Sequence, residues 1–277
     1  MLRFTSLLAA VTFVGLLLVL PGLAGKPAAP SGTALYPDLR TVVPQHLNLV
    51  NEHQRDILRF SNGIANTGGG PWALRPEPAL GTAPTVTAVQ EIRDSGAYYK
   101  CGTQPKQVTV CYNVVAEFPT STFAYHETHN HWHIDDVALF EVRKGSPTGP
   151  IVGGNSIKTT FCLIDWYKLD DNSPSAERVF FDCYTSYQGI SVGWVDQYHQ
   201  ATEGQQVDLT GVPNGNDYYL VSTANAAGVF LEQNYTNNTA WVKFSLTGDA
   251  GGNRKVTILG NSPCETPGLC GVNTTNR

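Results

Sequence analysis

The sequence predicts an all-β fold, a β-sandwich with long loops and few short helices. Disulfide bonds are expected to cross-link it. Short segments alternate apolar and polar residues with the two-residue period of strands, and turns rich in Gly, Pro and Asn separate them. Only 15% of the residues are charged, while 27 are Gly and 17 are Pro, a composition that favours strands and loops. Many short strands punctuated by turns are typical of sandwiches. The alternating segments lie at 57–60, 107–115, 137–142, 159–164, 218–221 and 241–246.

The first 24 residues have the features of a secretory signal peptide: Arg3, an apolar run at 7–20 and small residues at 22–24. An uncleaved anchor stays the alternative, although the run falls short of the roughly 20 residues that span a bilayer. We expect a secreted, extracellular protein with no membrane span after removal of the signal. The predicted organisation is a signal peptide at 1–24, a linker at 25–35, a folded domain at 36–247 and a Gly- and Pro-rich extension at 248–277.

The six cysteines also support export to an oxidising compartment, and none lies in a CxxC pair that would indicate a thiolate zinc site. Several connectivities are open, and the simplest joins sequence neighbours: Cys101–Cys111, Cys162–Cys183 and Cys264–Cys270. A formal net charge of -5 without a basic run argues against nucleic acid as a partner and weakly favours cationic ligands.

Four of the seven histidines lie within the eight residues 126–133, HETHNHWH. Because side chains alternate along a strand, His129, His131 and His133 would share one face of a strand, which we expect to be bent so that one ion reaches all three. Three imidazoles without a thiolate suit copper or zinc. His126 has the opposite parity and is expected as a weak fourth ligand or as a residue that supports a ligand from outside. A polar strand with solvated histidines is the plainer alternative.

An aromatic residue and two carboxylates accompany these histidines. Trp132 would lie on the opposite strand face and pack in the core. Asp135 and Asp136 would orient a ligand imidazole or accept a proton, or else form a turn at the surface.

The histidine segment and the motifs around it resemble those of the lysyl oxidase family. HETHNHWH is followed after 24 residues by KTTFCLID, which opens at Lys158. Further matching segments come in the family's order: YPDL (36–39), DILRF (56–60), QGISVGWVDQY (188–198), PNGNDYYL (213–220) and EQNYTNN (232–238). The resemblance covers residues 36–247, which makes this stretch the predicted catalytic domain, and it is nearest to the microbial branch.

The resemblance implies one copper ion bound by His129, His131 and His133. It also implies a lysine tyrosylquinone cofactor, formed by coupling the amine of Lys158 to the oxidised ring of Tyr198. The implied activity is that of an amine oxidase, in which a primary amine on a protein lysine or a small molecule becomes an aldehyde. Molecular oxygen restores the quinone, with release of hydrogen peroxide and ammonia. Lys158 is expected to open a strand, and Tyr198 is expected in a loop.

Two departures from the family pattern concern the catalytic base and the disulfides. Animal members carry another histidine in the strand after the metal motif, and this chain has none there. The candidates for the base are therefore Asp136, Asp135 and His126. Thr128 and Trp194 stand in place of two family cysteines, and their loss implies that Cys162 and Cys183 pair with each other.

The family also binds a structural calcium ion through oxygen atoms, the ligands that calcium prefers. The matching residues here are Asp38, the backbone of Leu39, Glu232, Asn234, Asn237 and Asn238. An Asn-rich turn without an ion is an equal alternative. Asn234 and Asn237 also begin glycosylation sequons, and a glycan at either would conflict with calcium binding.

Two other functions stay open. A zinc hydrolase would carry a water on the three-histidine metal and would need neither Lys158 nor Tyr198. A non-catalytic copper-binding module would take up metal without forming a chromophore.

Overall fold

The computed structural model describes residues 34–81, 83–94, 99–100, 110–111, 114–154, 157–169, 171–175, 177–184, 187–249 and 253–271, with the backbone alone at 99–100, 110–111 and 157–158. The predicted signal peptide and most of the linker lie outside the described residues. Within this part the chain forms strands and no helix, so none of the expected short helices is found there and no helix is available to traverse a bilayer. The strands are β1 (Leu39–Thr41), β2 (Gln45–Glu52), β3 (Arg55–Asn66), β4 (Trp72–Glu77), β5 (Thr85–Arg93), β6 (Tyr99–Lys100), β7 (Val110–Cys111), β8 (Val114–His126), β9 (His131–Lys144), β10 (Ile157–Phe161), β11 (Tyr167–Lys168), β12 (Gln188–Ile190), β13 (Trp194–Tyr198), β14 (Gln206–Asp208), β15 (Gly215–Ala224), β16 (Thr239–Thr247) and β17 (Lys255–Asn261).

The described strands form two antiparallel sheets, one of six strands and one of nine, together with a separate β6–β7 pair. The long strand β3 organises the smaller sheet, because β1 and β2 pair along one edge and β13 and β14 along the other. The larger sheet has the order β12-β4-β5-β8-β9-β15-β16-β17, and β10 pairs with β9 off this path.

Apolar side chains from both sheets meet in one core, and the predicted β-sandwich is confirmed. Phe60 of β3 packs edge-on against Phe140 of β9 with 4.8 Å between the ring centroids. Trp72 packs in the same way on Phe230, also at 4.8 Å. All four side chains are fully buried, and each contributes roughly 1.5–3 kcal/mol or more through burial. The Phe60–Phe140 contact joins the two sheets, and the Trp72–Phe230 contact packs the segment between β15 and β16 against β4 of the larger sheet.

Along one edge of β9, the strand that pairs with it changes from β8 to β15 about halfway along its length. Its first residues pair with β8, and Ala138–Lys144 pair with β15, while β10 lies along the opposite edge. Asp136 lies at the exchange with a positive φ of 60°. The hydroxyl of Ser121 on β8 donates to the backbone oxygen of Asp135 at 2.8 Å and to Asp136 Oδ2 at 3.2 Å. The aspartate pair thus lies within a strand and not in the surface turn that was one of its two expected settings.

Two of the expected disulfides are confirmed. Cys162–Cys183 and Cys264–Cys270 are bonded, with Cα–Cα distances of 5.5 and 5.7 Å. The predicted Cys101–Cys111 bond lies outside the described residues, apart from the backbone of Cys111. The extension after residue 248 supplies β17, which pairs with β16 as an edge strand of the larger sheet.

Candidate metal centre

The histidine segment forms a β-hairpin. His126 ends β8 and lies opposite His131, the first residue of β9, while Ala124 lies opposite His133. Residues 127–130 form the turn between them, closed by hydrogen bonds from the backbone nitrogens of His129 and Asn130 to the oxygen of His126. The expectation that His129 shares a strand face with His131 and His133 is therefore wrong. Strand parity applies to the latter two, whereas His129 approaches them from the turn.

The four side chains, hereafter the histidine cluster (His126, His129, His131 and His133), meet through their ring nitrogens. His133 Nε2 lies 2.9 Å from His131 Nε2 and 3.3 Å from His129 Nδ1. His126 stacks on His129 and His133 with ring centroids 4.4 and 4.8 Å apart. One nitrogen from each of His126, His129 and His133 lies within 4.8 Å of the others. The structure thus brings His126 as close as the three predicted ligands.

The donor set fits a metal ion better than it fits hydrogen bonding among the rings. An imidazole nitrogen has a single in-plane site, which holds either a hydrogen or a lone pair. His133 Nε2 therefore cannot satisfy the nitrogens of both His131 and His129. A cation between them would accept lone pairs from all, and imidazoles without thiolates suit copper or zinc.

Burial and the neighbouring imidazoles favour the neutral form of the His131 and His133 rings. Burial, and after it the neighbouring His131, His126 and His129, lowers the pKa of His133 to about 3. Burial and then His129 lower the pKa of His131 as well. Neutral imidazole is the form that binds metal, so at neutral pH these two rings need to lose no proton before they act as ligands.

Three of the histidine rings also contact a hydroxyl or a carboxylate that the sequence analysis did not identify as part of the site. His133 Nδ1 lies 3.0 Å from Thr160 Oγ1, and His126 Nδ1 lies 3.0 Å from Thr128 Oγ1. His129 Nε2 lies 3.6 Å from Glu203 Oε2. Such outer contacts fix the ring orientation of metal-binding histidines. Because Thr160 and Glu203 come from distant segments, no local spacing could have identified them.

Tyr198 adjoins the strand that follows the histidine hairpin. It is the last residue of β13, opposite Asn62, so its predicted place in a loop is wrong. Its hydroxyl donates to the backbone oxygen of Cys162 at 2.7 Å, and its ring lies edge-on to Phe161 at 4.3 Å. These two contacts hold the phenol against the end of β10.

Strand β10 and the residue after it connect the histidine cluster with Tyr198. Lys158 lies on β10, as expected of a strand residue, and its backbone pairs with that of Leu139 on β9, while the Lys158 side chain lies outside the described part. Two residues later, Thr160 contacts His133, and two residues after that, Cys162 contacts Tyr198. The segment 158–162 therefore contacts the histidine cluster and Tyr198 at once.

The three candidates for the base differ in their surroundings. His126 belongs to the histidine cluster. The carboxylate of Asp136 accepts from Ser121 on β8, and Asp135 precedes it at the same strand irregularity. The choice among them stays a prediction.

Comparison with known proteins identifies the family. The family model described as Lysyl oxidase matches residues 106–255, more than half of the 277 residues. The chain belongs to the lysyl oxidase family. The matched region contains the histidine cluster, Lys158 and Tyr198.

Individual lysyl oxidases are more distant. Lysyl oxidase homolog 1 of Homo sapiens is 28% identical over 131 residues, which are 47% of this chain and 21% of that protein. Protein-lysine 6-oxidase of Sus scrofa is 28% identical over 131 residues, 47% of this chain and 49% of that protein. Lysyl oxidase homolog 3 of Homo sapiens is 32% identical over 118 residues, 42% of this chain and 15% of that protein. This chain thus matches less than half the length of each of these three relatives.

Most of the residues that the lysyl oxidase resemblance assigned to calcium lie together. Glu232 accepts from Leu39 N at 2.9 Å and from Asn238 Nδ2 at 2.7 Å, and Asn237 Nδ2 donates to both carboxylate oxygens of Asp38 at 3.0 and 3.1 Å. Asn225 Nδ2 also donates to Glu232, at 2.6 Å. We call Asp38, Glu232, Asn237 and Asn238 the carboxylate cluster. Burial raises the pKa of Glu232, and nearby Asp38 raises it further, although the hydrogen bonds from Asn238 and Asn225 oppose them.

Two observations bear on whether this cluster fits calcium. Asn237 Oδ1 and Asn238 Oδ1 are buried and have no hydrogen-bond partner among the described residues, so two amide oxygens would be available to an ion. Asn234 is different, because it is exposed and its oxygen accepts from Thr236 N at 2.9 Å and from Thr236 Oγ1 at 2.7 Å.

Proposed function

We propose that this chain is a secreted, copper-dependent amine oxidase. Its substrates would be primary amines, either protein lysine side chains or small amines. With molecular oxygen as the oxidant and water as the source of the aldehyde oxygen, it would convert them to aldehydes and release hydrogen peroxide and ammonia. The observation that carries the proposal is that segment 158–162 contacts the histidine cluster through Thr160 and Tyr198 through Cys162. Membership of the lysyl oxidase family supports it, since matched relatives are named protein-lysine 6-oxidase.

The residues proposed to hold copper are His129, His131 and His133, with His126 at the end of β8 either as a weak fourth ligand or as a residue that supports a ligand from outside. With copper bound, the site would supply oxidation of the Tyr198 ring by molecular oxygen. The resulting quinone would carry the Lys158 amine and would take up electrons from a substrate amine. The fit rests on the mutually facing ring nitrogens and on the lowered pKa values of His131 and His133.

The remaining steps belong to side chains of this chain. The backbone oxygen of Cys162 accepts the Tyr198 hydroxyl and Phe161 lies against the ring, so the phenol has one preferred orientation. Lys158 is proposed to supply the amine that adds to this ring. Asp136 is proposed to remove the proton from the substrate's amine carbon, with Asp135 and His126 as alternatives.

The test is cofactor formation in copper-loaded, aerated protein. We expect a quinone absorption that phenylhydrazine captures, and a covalently joined peptide pair containing Lys158 and Tyr198 that resists reduction. Tyr198→Phe and Lys158→Arg should each bind copper normally yet form neither product. Guanidinium stays protonated and cannot add to the ring as a free amine.

Matched controls are Tyr219→Phe and Lys243→Arg, since both residues lie on the β15–β16 pair, with the Lys243 amine 5.6 Å from the Tyr219 ring centroid. Both controls should form the quinone. Copper uptake by the wild type without a chromophore would leave a non-catalytic copper module as the better account. Zinc-supported hydrolysis that ignores the Lys158 and Tyr198 changes would instead indicate a hydrolase.

A further inference from the structure

An exposed carboxylate next to the histidine cluster has no role in the proposed reaction. Glu203 lies in the loop 199–205, which directly follows Tyr198. Its Oε2 is 3.6 Å from His129 Nε2 and 3.5 Å from the Thr128 hydroxyl, which donates to it. The Glu203 side chain is 65% exposed, so these contacts lie at the rim of the cluster.

The nitrogen that Glu203 faces is the outer one. His129 Nδ1 points to His133 Nε2 at 3.3 Å, which leaves His129 Nε2 directed away from the cluster. A histidine that binds metal through one nitrogen carries its hydrogen on the other. A carboxylate beside that second nitrogen fixes the ring and makes the ligand nitrogen more basic.

His129 needs such support more than the strand histidines do. His131 and His133 are placed by the β8–β9 ladder, and His133 is further held by Thr160. His129 lies in the turn between the two strands, and its backbone nitrogen donates to the oxygen of His126, which closes the turn. A ring on a four-residue turn has more freedom than one on a paired strand.

The loop that presents Glu203 is fixed to the other sheet at both ends. Gln200 N donates to Ser61 Oγ at 2.9 Å, and Phe60 N donates to Gln205 O at 3.2 Å, so both ends join β3. In between, Gly204 has a positive φ of 84° and passes so close to Thr159 that a Cβ would lie 3.2 Å from Thr159 Cγ2. The loop therefore presents Glu203 from a fixed position.

We propose that Glu203 is a positioning residue, which holds the turn histidine His129 in its metal-binding orientation and ties the loop after Tyr198 to the metal hairpin. This inference rests on the proposed copper site. It adds that the metal-binding hairpin of one sheet is completed by a carboxylate carried from the other.

The experiment measures Cu²⁺ affinity by competition titration, together with the copper electron paramagnetic resonance spectrum and the melting temperature of the metal-free protein. Glu203→Ala should weaken Cu²⁺ binding about 10- to 100-fold and alter the histidine-nitrogen couplings. It should shift the metal-free melting temperature by no more than about 1 °C, because an exposed side-chain contact between polar groups contributes little to stability. Glu203→Gln, which can still accept a hydrogen bond, should recover part of the affinity.

The matched control is Glu127→Ala, which removes an exposed carboxylate from the same turn as His129. It should leave Cu²⁺ affinity within about twofold, as expected for a screened surface charge. A double-mutant cycle with Thr128→Val should be non-additive, because Thr128 contacts both Glu203 and His126.

Two outcomes would overturn this inference alone: wild-type affinity in Glu203→Ala, or an equal loss in Glu127→Ala, which would indicate a general charge effect. A wild-type protein that binds no copper would overturn the proposed function and this inference with it.

Discussion

The histidine cluster and the carboxylate cluster are both polar groups inside a β-sandwich, but they meet their hydrogen-bonding needs in opposite ways. In the carboxylate cluster, backbone and amide N–H groups already surround the acids, and Glu232 accepts from Leu39, Asn225 and Asn238. In the histidine cluster, ring nitrogens face other ring nitrogens, and His133 Nε2 lies against one nitrogen of His131 and one of His129.

This difference separates a cluster whose polar atoms are mostly satisfied by one another from a cluster whose inner ring nitrogens cannot all be satisfied by one another. An imidazole nitrogen has one in-plane hydrogen or lone pair, so His133 Nε2 can satisfy only one of the two ring nitrogens that it faces, and a bound cation could satisfy both. The carboxylate cluster leaves only the oxygens of Asn237 and Asn238 unpaired among the described residues. A bound metal ion is therefore expected to stabilise the histidine cluster strongly and the carboxylate cluster only slightly.

The largest expected effect is on copper binding. His133→Ala removes the ring that contacts both His131 and His129, and we expect Cu²⁺ affinity to fall by more than about 100-fold, beyond the loss typical of a supporting residue. His129→Ala and His131→Ala should also abolish stoichiometric binding, and His126→Ala should cost less. Competition titration measures this, with Glu232→Gln as the control that keeps wild-type affinity. Stoichiometric copper in all of the single histidine variants would contradict the assignment.

A smaller effect should appear in the pH dependence of stability. The folded-state pKa of His133 is about 3, below its ordinary 6.5, so between these values the unfolded chain binds a proton that the folded protein does not. The free energy of unfolding should therefore fall as the pH is lowered, by up to about 2 kcal/mol between pH 6.5 and 5. The contribution of Glu232 to this pH dependence has the opposite sign. Because its pKa is raised, the free energy of unfolding that it contributes falls as the pH rises above 4.5.

Urea unfolding of the metal-free protein at pH 7 and 5 measures the histidine contribution. His133→Gln should lose less stability than the wild type on this change of pH. His53→Gln is the control, because His53 is exposed in the turn between β2 and β3. An identical pH response in the wild type and His133→Gln would show that burial of this ring does not govern the effect.

The smallest expected effect is that of calcium on the carboxylate cluster. At tenfold excess over its dissociation constant, Ca²⁺ should stabilise the wild type by about 1.4 kcal/mol, seen as a rise in melting temperature. Asp38→Asn should lose the response. Asn234→Ala should keep it, because the Asn234 oxygen is already taken by Thr236. No shift in the wild type would leave the cluster as a hydrogen-bonded turn.

Local sequence patterns predicted the sandwich and the histidine cluster, because both depend on spacings of a few residues. Alternation identified segments of β3, β9, β15 and β16. The same rule failed for His129, since a period of two assumes a continuous strand and cannot detect a four-residue turn. It also gave His126 only a secondary place, as a weak fourth ligand or a supporting residue, although a hairpin brings residues of opposite parity together.

Contacts between distant segments could not be predicted from spacing. Thr160 meets His133 across the β9–β10 pair, and Glu203 reaches His129 from the other sheet. Tyr198 was assigned to a loop because it follows a Gly-containing turn, but pairing with β3 extends the strand to include it. In each case the position depends on which strands pair or on how the sheets pack, and one segment of sequence does not encode either.

The hairpin has a consequence for how the centre is assembled. The histidine cluster is local, since its members lie within eight residues and meet once a single turn forms. Tyr198 follows His133 by more than sixty residues and belongs to the opposite sheet, so its approach must close a far longer loop, at greater entropic cost. The histidines can therefore gather in a short segment, whereas the Tyr198 ring arrives only when the sandwich closes. Under the proposed function, formation of the quinone would thereby be restricted to chains that have completed their folding.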